Sequence, residues 1–201
     1  MIDGTVRTTW SIEVGGLSRD ELIERLDARG IPRNAYAEIL LADPVFDDLP
    51  RQTVAGATVA GAPVAGTLAA CQAPARETIS ILETSVGDLG LPDGATLPRV
   101  FDAAARRGLA LCPPITAPYL RLATLDQASA PDSILSTGRA PTGSLHVVSP
   151  PLRADHDYPK GFYLRVIDGV PWLRGYRCDD EYVWSPGDRL AFRVLASGPH
   201  S

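Results

Sequence analysis

The chain has 201 residues, 45% of them hydrophobic, and a formal net charge of −5 at pH 7. That length suits one globular domain with an appendage, or two small domains, and the acidic balance argues against wholesale binding to nucleic acid through phosphate neutralisation. Three widely spaced cysteines, Cys71, Cys112 and Cys178, form neither a zinc pattern nor an even disulfide framework, so no metal and no cofactor is expected.

Lysine occurs once, as Lys160, against 18 arginines. With abundant Ala, Gly and Pro, this reads as the bias of a GC-rich genome. The opening stretch MIDGTVRTTW lacks the charged and apolar regions of a signal peptide, which makes the cytoplasm the expected location, with no membrane segment.

Charge divides the chain. Residues 1–50 carry 10 acidic and 5 basic side chains and predict an acidic helical hairpin. In GLSRDELIERLDARG, Ser18 caps a helix and Glu21 completes a capping box; Leu22 and Leu26 share the inward face, and Gly30 stands at the C-cap. A second helix is predicted from Asn34 to Pro44. A DNA-reading helix-turn-helix needs a basic second helix, and this one carries Glu38 and no Arg or Lys after Arg33.

Residues 51–76 contain the repeat TVAGATVAGAPVAGT, and no charge occurs from Gln52 to Ala75. Gly, Ala, Thr and Pro offer too little large apolar surface for a membrane helix. The segment reads as a flexible linker.

Residues 77–196 alternate with a period of two in several places, with strands predicted at TISILETS, YLRLATLD, SLHVVS, FYLRVI, VPWLRGYR and RLAFRVL. One helix interrupts them, TLPRVFDAAARRG, capped at Thr96 with Pro98 in its first turn and ended by Gly108. The predicted class is α+β: a mainly antiparallel sheet or half-barrel with one packed helix, preceded by hairpin and linker and followed by a short tail over 197–201.

LPDGATLPRVFDAAARRGLALCPP, LRLATLDQ, GFYLRVIDGVPWLRGYRC and WSPGDRLAFRV together resemble a family of uncharacterised bacterial proteins. The resemblance covers about residues 80–195 and rests on Leu111-Cys112-Pro113, Leu120-Arg121-Leu122 and Asp126-Gln127. It implies a shared fold and adds no catalytic residue.

A second likeness is coincidental. STGRAPTGSLHVV resembles the adenylate-binding signature of class I aminoacyl-tRNA synthetases, which leads into a helix facing the phosphates. Here VVSPPLRADHDYP follows, whose prolines forbid that helix. Thr142-Gly143 reads instead as a turn feeding a strand.

The most informative stretch is FYLRVIDGVPWLRGYR. Asp168-Gly169 is a two-residue hairpin turn, which pairs Ile167 with Val170, Arg165 with Trp172 and Tyr163 with Arg174. Phe162, Leu164, Val166, Pro171 and Leu173 then share a core face. Tyr163, Arg165, Trp172, Arg174 and Tyr176 share the other, either a solvated face or a platform for an anionic or planar ligand.

Catalytic patterns are thin. No Gly-x-Ser-x-Gly elbow exists, and His156, between Asp155 and Asp157, has no second histidine at metal-binding spacing. Cys112 reads as a small buried side chain, and Asp179-Asp180-Glu181 as a solvated loop. Asp126-Gln127 reads as a strand terminus or, with Arg121, as the pocket of an enzyme acting on an anionic small molecule. The leading expectation is a non-catalytic protein that binds a protein partner or an anionic or planar small molecule through its Arg/aromatic face; the enzyme is the alternative.

Overall fold

The computed structural model describes residues 8–47, 76–131, 139–155 and 157–195. Apart from Arg76, the expected linker lies outside them, as do the 197–201 tail, Cys71 and His156.

In chain order the elements are β1 (Thr9–Gly15), α1 (Arg19–Ala28), α2 (Ala35–Leu41), a 3-10 turn (Pro44–Phe46), β2 (Arg76–Ser85), β3 (Ala95–Thr96), α3 (Leu97–Ala105), β4 (Leu109–Ala110), α4 (Thr116–Ala123), β5 (Leu145–Val147), β6 (Gly161–Ile167), β7 (Val170–Tyr176), β8 (Val183–Trp184) and β9 (Arg189–Val194). The main sheet runs β1-β2-β9-β5-β6-β7, with β4 also on β9, while β3 and β8 pair separately. Every pairing is antiparallel except β5 with β9. The architecture is α+β, with a mixed sheet curled into a half-barrel.

Local signals set many of these boundaries. Glu21 N–H donates to Ser18 Oγ at 3.3 Å, and the Glu21 carboxylate accepts from Ser18 N–H at 2.8 Å, closing the capping box of α1. Gly30 takes the left-handed conformation at φ 63°. The β6–β7 hairpin keeps the expected register throughout, because Asp168 and Gly169 both adopt positive φ, 50° and 78°.

Two layers cover the sheet. On one face α1, α2 and α4 pack Leu22, Leu26, Leu40, Leu41 and Leu120 against Ile12, Ile79, Ile81, Phe162, Leu164 and Leu173. On the other, α3 and the β3/β8 pair bring Val100, Ala104 and Trp184 against Leu190, Phe192 and Val148. Parity along β9 shows the division: Leu190 and Phe192 belong to one cluster and Ala191 to the other.

Three expectations are corrected. The two N-terminal helices exist, but they are built into the sheet's core, and β1 ahead of them pairs with β2 from Thr9↔Leu82 to Gly15↔Arg76. YLRLATLD is not a strand: its first part lies in α4, where Ala117, Leu120 and Arg121 recur at helical spacing and point inward. Among the described residues the sheet therefore carries four helices, α4 adding to the expected hairpin and packed helix.

Thr142-Gly143 is a turn into β5, with Gly143 at φ 72°. Among the described residues no helix follows it before β6. Among the described residues, no helix is long and apolar enough to cross a membrane, and no group of three or more His, Cys, Asp or Glu could hold a metal ion.

Candidate functional site: a cavity over an aromatic floor

Three adjacent strands place one row of side chains on the same face. His146 of β5 is opposite Tyr163 of β6, and Tyr163 is opposite Arg174 of β7. Trp184 of β8 folds over this row, with its ring 4.6 Å from His146 and nearly perpendicular to it, at 85°. Tyr163 stacks on His146 at 5.2 Å and 27°, and Tyr176 meets it edge-on at 4.9 Å. The geometry suits the ring quadrupoles, which favour offset and edge-to-face contacts.

Above these rings opens a cavity of about 350 Å³, within the usual range for small-molecule sites, about 300–1,000 Å³. His146, Tyr163 and Trp184 form its floor, at 2%, 5% and 1% exposure. Asn34 and Tyr36, at the start of α2, make one wall; Arg139, Arg177 and Asp179 are exposed at the rim.

The wall is fastened by one side chain. Asn34 Oδ1 accepts from Ala37 N–H at 3.0 Å, capping α2, and from Gly175 N–H at 2.8 Å; Asn34 Nδ2 donates to the Gly175 carbonyl at 3.0 Å. The Asn34 amide thus acts as a short piece of strand added to the edge of β7. Leu173 N–H extends the pairing by donating to the Pro32 carbonyl at 3.1 Å.

The floor is uncharged. Burial pushes the His146 imidazole down to about 3 and raises the Tyr176 phenol above its ordinary range. Cys178, also at the cavity, is pushed up to about 11, chiefly by burial, so it remains a thiol rather than a nucleophilic thiolate. His146 Nδ1 and Trp184 Nε1 are buried with no hydrogen-bond partner among the described residues.

The charged lining consists of three arginines, Arg139, Arg174 and Arg177, and one carboxylate, Asp179. Arg177 pairs with Asp157, whereas among the described residues neither Arg139 nor Arg174 has a carboxylate partner. Arg174 stands over the Trp172 ring at 5.1 Å, a contact that holds its guanidinium in place.

Of the five residues expected on the Arg/aromatic face, the cavity gathers Tyr163, Arg174 and Tyr176. Trp172 lies half-buried behind Arg174. Arg165 is wholly buried and donates to the Pro131 carbonyl, so the face is no open platform. His146 and Trp184 went unrecognised as neighbours of that face. The SLHVVS parity puts His146 opposite Leu145 and Val147, but only the β5–β6 register reveals which side that is.

The other expected trio is divided. Arg121 is fully buried; Nη1 donates to Gln127 Oε1 at 2.9 Å and Nη2 to the Thr124 carbonyl. Gln127 Nε2 donates to the Gly143 carbonyl at 2.9 Å. Together they lock the end of α4 to the turn before β5, and burial pushes the Arg121 guanidinium down to about 10 against the pull of Asp126. Asp126 itself is exposed, in a cleft with Glu83, Arg189 and Trp10. Cys112 is a buried thiol pushed up to about 12 by burial, with its Sγ 3.6 Å from the Ala191 carbonyl.

Comparison with protein-family models, with curated proteins and with solved structures found no match to this chain.

Proposed function

We propose that the protein is a non-catalytic binding protein that holds a planar, anionic small molecule in the cavity between α2, β7 and β8. The observation that carries this reading is the combination of an uncharged aromatic floor with two arginines, Arg139 and Arg174, that lack a carboxylate partner among the described residues. Rings favour a flat, apolar body, and the guanidiniums favour an anion at its edge.

The enzyme alternative is less well supported. Arg121 and Gln127 spend their hydrogen bonds inside the protein, which leaves Asp126 as the one member of that trio free to meet a substrate.

A thermal-shift panel tests the reading. Aromatic carboxylates and nucleotides are expected to raise Tm by several degrees, since ligand at about 100 times its Kd adds about 2.7 kcal/mol. Neutral aromatic compounds and sulfate are expected to leave Tm nearly unchanged. An equal rise with sulfate would reduce the site to a bare arginine cluster, and silence across the charged aromatics would overturn the proposal.

A further inference from the structure

The cavity separates apolar surface from charge, and that separation specifies where a ligand must carry its own charge. His146, Tyr163 and Arg174 stand directly opposite one another on three neighbouring strands. The backbones of His146 and Arg174 are therefore two strand spacings apart, roughly 10 Å. At the His146 end the floor is made by the Tyr163, Tyr176 and Trp184 rings. A charged group placed there would be stripped of water without compensation. At the other end Arg174, held over Trp172 at 5.1 Å, lines the same cavity and offers donors in the fork geometry that carboxylates and phosphates match.

We propose that the ligand carries its charge on an arm: an uncharged planar ring seated over His146 and Trp184, joined by a short spacer to a phosphate or carboxylate held by Arg174. This rests on the reading of the cavity as a planar-anion site and adds a length and a polarity to it. Nucleoside monophosphates and aryl-alkanoic acids have this shape. Compact aromatic acids such as benzoate, with the charge on the ring itself, do not.

Isothermal titration calorimetry of the full chain with uridine monophosphate, uridine, indolebutyrate and benzoate tests it. At least one armed anion is expected to bind about tenfold to a hundredfold more tightly than both uridine and benzoate, the range for hydrogen bonds to a charged group. Whichever armed anion is tighter distinguishes a phosphate site from a carboxylate site. Arg174→Gln is expected to erase that advantage while leaving the weak affinity for uridine as it was. Should that variant fail to fold, Arg174→Met, whose side chain can still pack on Trp172, makes the same comparison. Benzoate binding as tightly as the armed compounds would overturn the arm and leave the planar-anion site standing. An advantage that survives both arginine substitutions would also overturn it, and absence of binding by every charged compound would remove the site and the arm together.

Discussion

Gly175→Ala is expected to destabilise the protein by about 3 kcal/mol, or about 9 °C in Tm, and to weaken ligand binding in the same variant. A Cβ at this position would sit 2.6 Å from the Tyr36 carbonyl carbon and 2.7 Å from the Ala37 nitrogen. Both are backbone atoms of α2, which can yield only by moving the helix away from β7. That movement would part Gly175 from Asn34, whose amide both caps α2 and pairs with the strand. Asn34 and Tyr36 are also the cavity wall, so stability and affinity fall together. Thermal melts of Gly175→Ala, Asn34→Ala and the double variant check this. Coupling through one contact requires the double variant to lose clearly less than the sum of the singles; simple addition would mean that α2 is held by something else.

Arg121→Ala is expected to cost about 3–5 kcal/mol without changing affinity at the cavity. It leaves the buried Thr124 carbonyl and the half-buried Gln127 amide oxygen without their donor, the first at about 1–3 kcal/mol and the second at less, and opens a void beneath α4. Arg121→Met separates the two contributions. It fills most of the void and also removes the cost of burying a guanidinium, so it is expected to lose about half as much. Denaturant melts give the stabilities and calorimetry the affinities. Affinity lost in Arg121→Met with stability intact would return Arg121 to the functional residues.

How much of this was legible in the sequence depends on the range of the interaction. The β6–β7 register was readable in full, because Asp168-Gly169 is a two-residue turn whose positive φ values admit one pairing. The Ser18–Glu21 capping box was equally local. The hairpin's two faces were sorted correctly, but the second was expected to lie open. Its cover is Trp184, on a strand that pairs with β3 rather than with the hairpin, and nothing in FYLRVIDGVPWLRGYR announces it.

The same limit explains the other differences. β1 pairs with β2 across the 60 residues that separate them, while the charge contrast on either side of that interval suggested separate units. In α4 the alternation of Leu120, Arg121 and Leu122 imitates a strand. Arg121 is nevertheless buried beside Leu120, which a half-exposed strand would not allow. Of the candidate site, the arginine and tyrosines of the hairpin were visible, whereas His146 and Trp184 needed the tertiary fold to join them.

The most direct measurement uses Trp184 as its own reporter. With Trp10→Phe and Trp172→Phe, Trp184 is the sole tryptophan, and the phenyl ring at position 172 still faces Arg174. Titration with the tightest armed anion is expected to change Trp184 emission saturably, with the midpoint found by calorimetry, and Arg174→Gln is expected to shift that midpoint to about tenfold or more higher concentration. Unchanged Trp184 emission at concentrations that raise Tm would place the ligand elsewhere on the protein and contradict the cavity as the binding site.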